Sequence, residues 1–182
     1  MAMSFDIAEN EVRSFEGSFY RPTMIKGPIT LARFSDSTRG DRGRYGRFWL
    51  YGDYVRELVS SGSSYMALIK QISQQWAICD DWGDKGLLTL MDVPPGAAVP
   101  AMWGRAKFQP KVSDPSKRAT AHSYEGGALQ LIIPVVDTSW NINTALAAMM
   151  TRKLLTANLV GNPSLLVENP WVTAQRNKGR NI

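Results

Sequence analysis

The pattern of apolar and polar positions over Ile29–Phe34 reads as a short strand. There Thr30, Ala32 and Phe34 fall on one side of an extended chain, and Ile29, Leu31 and Arg33 on the other. Pro28 opens this predicted strand. Arg33 shares its face with two apolar residues, and a charge so placed calls for a partner or an anionic ligand. Phe48-Trp49-Leu50-Tyr51 reads as a short aromatic strand. Gly86–Val93 reads as a strand stopped by Pro94-Pro95-Gly96. Ala97–Gly104 reads as a second short strand, broken by Pro100. Leu129–Val135 is the most hydrophobic strand and ends at Pro134 or just beyond.

Helical spacing dominates elsewhere. Tyr54–Ile78 predicts a helix in two pieces, interrupted at Ser60-Ser61-Gly62-Ser63-Ser64. In its second piece Met66, Ile69, Ile72 and Trp76 form the apolar set, and Ser63 or Ser64 suits the N-cap. Asn141–Asn158 predicts an amphipathic helix through Ile142, Leu146, Met149, Met150, Leu154 and Leu155. Met1–Arg21 shows no clear period beyond a short strand near Ser18-Phe19-Tyr20. Ser35–Arg47 is a glycine- and arginine-rich loop that supplies no core and is expected to be mobile. Lys107–His122 is a polar loop with Pro110 and Pro115.

Short strands, two or three helices and long loops give an α+β fold with a small mixed or antiparallel sheet. The expected organisation is an N-terminal arm over residues 1–26, one domain over 27–160, and a loop with a basic tail over 161–182. The 182 residues suffice for one sizeable core, and 44% hydrophobic with 20% charged residues is ordinary for a globular chain. No stretch of about 18 uncharged apolar residues occurs, so no membrane span is expected. Met1–Asp6 lacks the basic and apolar regions of a secretory signal peptide.

The net charge of +5 invites a polyanion. The cations are nevertheless spread over Arg39–Arg47, Lys107–Arg118 and Arg176–Arg180, which reads either as solvated loops or as a cationic rim for a pyrophosphate. With one cysteine, Cys79, and one histidine, His122, the chain has neither an internal disulfide nor the about four ligands of a structural zinc site. Cys79 reads as a small buried hydrophobe and His122 as a surface residue. Asp80, Asp81 and Asp84 read as a solvated turn, because they lack the alternation and distal Glu of a calcium loop. No phosphate-binding P-loop, nucleophile elbow or dinucleotide-binding glycine motif is present.

Four segments occur in a telling order. They are the strand carrying Arg33, Phe48-Trp49 after a glycine-rich loop, Val93-Pro94-Pro95-Gly96, and Gly126-Gly127-Ala128-Leu129-Gln130-Leu131-Ile132-Ile133-Pro134. Over Gly27–Asp137 this order resembles the ADP-ribosyltransferase-like toxin domains of bacterial competition systems. These close Rhs, contact-dependent and type VI effectors, and are related to the tuberculosis necrotizing toxin, an NAD glycohydrolase. The resemblance implies an ADP-ribosyltransferase-like fold and cleavage of the nicotinamide–ribose bond of NAD or NADP, taken as substrate with no metal.

By position, Arg33 would contact the pyrophosphate, with Phe34, Trp49, Tyr51 and Gly127 completing the dinucleotide contacts and Gln130 standing at the scissile bond. Glu125, five residues before Gln130, lies on the loop such domains use for acceptor recognition, so it joins the candidate catalytic set. Two departures stand out. Leu50-Tyr51 replaces the Ser or Thr expected after Trp49, and the chain beyond Asp137 has no counterpart. Glycohydrolase activity, mono-ADP-ribosylation of a protein or RNA, and a non-enzymatic basic binding module all remain open. The toxin readings imply delivery into a target-cell cytoplasm and a cognate immunity protein.

Overall fold

The computed structural model describes residues 6–61, 64–111, 123–160, 162 and 164. Its centre is a 7-stranded sheet. The strands are β1 (Arg21–Lys26), β2 (Ile29–Ser35), β3 (Phe48–Tyr51), β4 (Leu87–Val93), β5 (Ala98–Arg105), β8 (Leu129–Ile132) and β9 (Arg152–Leu155). They run in the order β1-β5-β8-β3-β2-β4-β9, and every pairing is antiparallel. Two short strands, β6 (Gln109–Pro110) and β7 (Ser123–Tyr124), pair separately. The α+β class and the antiparallel sheet are as expected from the sequence.

The alternation over β2 sorts its residues onto the two faces of the sheet. Leu31 joins Trp49, Met91, Val93 and Leu131 in one apolar cluster. Ala32 and Phe34 join Val55, Leu68, Ile72, Trp76, Leu88 and Leu90 in the other. All seven residues of β4 are buried, because strands flank it and both clusters cover it. The second cluster is roofed by α2 (Gly52–Ser60) and α3 (Tyr65–Trp76), the two helical pieces expected, with Ser64 capping α3 by accepting from Ala67 N at 3.3 Å. The buried stripe of α3 is turned from the expected one. Leu68, Ile72, Ser73 and Trp76 are buried, whereas Met66 is 72% exposed.

Three expectations are corrected. The helix expected over Asn141–Asn158 is only α4 (Thr144–Ala148), and the chain then turns into β9 along β4. Arg152 and Thr151 bond to Asp92 on β4, a partner sixty residues away that helical spacing does not reveal. Pro100 does not break β5. The pairing of β8 to β5 starts only at Met102, which leaves Pro100 a strand neighbour on one side, where proline is tolerated. The strand expected near Ser18–Tyr20 is β1 instead, an edge of the main sheet.

The arginine-rich loop holds a 3-10 helix, Ser37–Arg44, tied at its ends by Ser37 N to Asp84 Oδ1 at 2.8 Å and Arg44 Nη2 to Met150 O at 3.1 Å. Cys79 is buried, as expected, and His122 lies outside the described residues.

Candidate functional site

The sheet splits at β3. Leu50 and Tyr51 pair with Ala32 and Leu31 of β2, whereas Phe48 and Trp49 pair with Ile132 and Leu131 of β8. Beyond these rungs β2 follows only β4, and β8 follows only β5. Arg33 is the first residue of β2 past the split, and Gln130 is the last residue of β8 before it. A cleft of about 330 Å³ opens there and is lined by both, with Ser14, Phe48, Trp76 and Trp140 among its walls.

Arg33 is half-buried. Its Nη1 donates to Phe48 O at 3.0 Å, a carbonyl at the parting of the two half-sheets. Its guanidinium lies against Gly46, where an added Cβ would come within 1.9 Å of Cζ, so a side chain at 46 would displace the head group. Burial, and then the charge of Arg39, push the Arg33 guanidinium down to about 10. It remains protonated at neutral pH. A cation desolvated beside a second cation gains from an anion placed between them. Lys107 adds to the cationic lining, while Asp36 is engaged by Thr38 N at 2.9 Å and by Arg39 at 3.8 Å.

Gln130 is buried, and its Nε2 donates to Ser14 Oγ at 3.2 Å. Ser14 belongs to the N-terminal arm, which is fixed on three counts. Phe15 is fully buried and bridges Ala106, and it packs where Gly104 leaves room, since a Cβ there would come within 2.6 Å of the ring. Glu11, on α1 (Glu9–Val12), pairs with Arg47 at 3.2 Å, with both side chains nearly buried. Arg47 also donates to Asp6 O. The arm therefore builds part of the cleft wall.

The turn before β8 is equally specified. Gly126 has φ +72, and a Cβ there would meet Ala106 O at 2.4 Å. The N–H groups of Gly126 and Ala128 cap the last carbonyls of α3, reaching Gln74 O at 2.9 Å and Gln75 O at 3.1 Å, which otherwise have no helical partner. Trp76 Nε1 donates to Leu129 O at 2.8 Å. Helix and turn thereby set where Gln130 begins.

Of the expected site residues, Arg33, Phe34 and Gln130 line the cleft together. Trp49, Tyr51, Gly127 and Glu125 do not. Trp49 is fully buried, with Nε1 donating to Gly46 O at 2.8 Å, and its neighbour Phe48 faces the cleft in its place. Tyr51 packs beside the first apolar cluster, where burial and then Tyr54 raise its hydroxyl above the usual range. Gly127 accepts from Arg105 Nη1 at 2.8 Å, and Glu125 is exposed on the turn.

Sequence reasoning missed Ser14, Trp76, Trp82 and Trp140 as lining residues. Trp82 and Trp140 sit in polar turns among Asp, Ser, Asn and Gly, and a large aromatic in such a turn is the signal that could have found them. Among the described residues, no group of three or more His, Cys, Asp or Glu is arranged to hold a metal. No helix among them is long and apolar enough to cross a membrane. No protein-family model, curated protein or solved structure matches this chain.

Proposed function

We propose that the cleft binds NAD(P) and cleaves its nicotinamide–ribose bond with water as acceptor, making the chain an NAD(P) glycohydrolase of the ADP-ribosyltransferase-like class. One observation carries this reading: Arg33 and Gln130, far apart in sequence, are the residues at which the two half-sheets part, and they line one cleft. In this reading Arg33 takes the pyrophosphate with a permanent charge and a planar fork of donors. Phe48 and Trp76 supply apolar walls for a planar ring. Bond cleavage develops an oxocarbenium-like ribose. The Gln130 amide, with its nitrogen held by Ser14, presents its carbonyl oxygen to orient water and favour the developing positive charge. A chain of this activity would act as a toxin in a target-cell cytoplasm and would need an immunity protein in its producer.

A second reading, transfer of ADP-ribose to a protein or RNA, is favoured by the exposed Glu125 beside the Gly126-Gly127 turn, a place a macromolecular acceptor can reach.

The test is incubation with NAD or NADP alone, following nicotinamide release, beside a lysate containing labelled NAD. Rapid release in the first supports hydrolysis. Little release there, with label fixed to protein or RNA in the second, supports transfer. Silence in both overturns the enzyme reading in favour of a basic binding module. Gln130→Ala is expected to lower kcat, and Arg33→Ala to raise KM.

A further inference from the structure

We propose that Trp140 is a stacking platform for the adenine ring of the dinucleotide and holds the end remote from the scissile bond in a second cavity. This rests on the NAD(P) reading above.

The second cavity, of about 420 Å³, adjoins the cleft and shares Arg33, Phe48 and Trp140 with it. Gln130 lines only the first. A ligand with two planar rings joined through a pyrophosphate matches this layout, with one ring beside Gln130, the anion at Arg33 and the other ring beyond. The far cavity is bounded by Ala8, Gly46, Val136 and Thr138, together with the Glu11–Arg47 ion pair and the carboxylate of Asp137. Aromatic and small apolar surfaces beside several polar and charged groups suit the ring and sugar of a nucleoside.

Trp140 is built for exposure. Its side chain is 70% exposed, and its backbone has φ +65, a conformation a bulky residue adopts only when its surroundings impose it. The surroundings here are a closed turn. Asp137 Oδ1 accepts from the N–H groups of Ser139 and Asn141, both at 2.8 Å, and Oδ2 accepts from Asn141 Nδ2 at 2.8 Å. Trp140 N donates to Asp137 O at 3.1 Å and Asp137 N to Asn141 O at 3.0 Å, while Val136 bridges Ile142. Polar bonds of the turn thus aim a large ring at the junction of two cavities, and core packing does not hold it. A residue needed only for stability would be neither exposed nor strained.

The experiment compares wild type with Trp140→Gly, Trp140→Ala and Trp140→Phe. Glycine accepts φ +65 without penalty, so Trp140→Gly is expected to keep or raise Tm while removing the ring. KM for NAD and the inhibition constant of AMP are expected to rise together, by about ten- to a hundredfold, the range for loss of one stacked base. Inhibition by nicotinamide and kcat stay unchanged, and Trp140→Phe recovers most of the loss.

If NAD is cleaved but the AMP constant is unmoved, or nicotinamide inhibition weakens instead, the assignment is overturned while the glycohydrolase reading stands. If wild type releases no nicotinamide, calorimetry with AMP still decides. Binding by wild type that Trp140→Gly loses supports the platform, and equal binding or none overturns it.

Discussion

The two ends of the β2–β4 pair hold charge in opposite ways. At one end Asp92 is buried and answered from several sides. Thr30 Oγ1 donates to it at 2.7 Å, Arg152 at 2.8 and 3.0 Å, and Thr151 as well. At the other end Arg33, opposite Thr89, is desolvated beside a second cation and faces an open cleft. Burial pushes the Asp92 carboxyl up, but the hydrogen bonds and charge of its partners outweigh it and hold the carboxyl below its usual range. At Arg33 the shift runs against the charged form. A charge whose environment favours it holds the fold together, while a charge whose environment disfavours it and that lines a cavity is a candidate ligand contact.

The largest break in this contrast is Asp92→Asn. It leaves the Arg152 charge without its carboxylate, at a cost of about 2–3 kcal/mol, less than the ~3–5 expected for a fully buried pair because Arg152 is about a quarter exposed. That lowers Tm by roughly 5–10 °C in a chain of this size, while under the NAD(P) reading KM for NAD is expected to stay put; a thermal melt and a substrate titration check both. The pH dependence sharpens it. The folded pKa of Asp92 lies below its unfolded value of about 3.9. Its contribution is therefore present above about pH 4 and is lost as pH falls through the folded value. Acid unfolding of Asp92→Asn, followed by circular dichroism, is expected to be shallower over that range.

Arg33→Ala should reverse the pattern. Under the NAD(P) reading, loss of a charge-assisted contact to phosphate, worth about 1.5–3 kcal/mol, is expected to raise KM roughly ten- to a hundredfold, and the melt to shift less than for Asp92→Asn. Gly46→Ala is expected to move KM the same way by a smaller factor without touching any charge, because the added methyl occupies the place of the Arg33 head group. Ser14→Ala is the mildest. It frees the Gln130 amide from a neutral hydrogen bond of about 1 kcal/mol and also removes the bond from Ser14 Oγ to Glu11 O, so under the NAD(P) reading kcat is expected to fall about fivefold with KM unchanged.

Strands β2, β3 and β4 were legible because strong punctuation marks them: Pro28 before β2, the aromatic run of β3, and Pro94-Pro95 after β4. Arg33 could be singled out because a charge on an apolar face is visible in the alternation alone. The stretch from Asn141 to Leu155 was not legible. Its apolar spacing suits a helix, and the pull into β9 comes from Asp92 and from pairing with β4. Trp49 is expected at the site from its position, yet Phe48 faces the cleft, because a four-residue aromatic strand offers no internal sign of which face is core. The Ser14–Gln130 contact joins residues 116 apart, a distance no local pattern spans.

The strand order also governs how the chain acquires this shape. In the large sheet only β2 and β3 are neighbours both in space and in succession along the chain, and every other pairing joins strands separated by intervening ones. Loops must close, at an entropic cost, before most rungs can form. Folding dominated by such distant pairings takes about milliseconds to seconds rather than microseconds. β3, with two rungs on each side, can complete the sheet only after β8 has arrived from more than eighty residues downstream. The cleft thus exists only once strands from distant parts of the chain have met, and a chain that lacks the β3–β8 rungs has no such cleft.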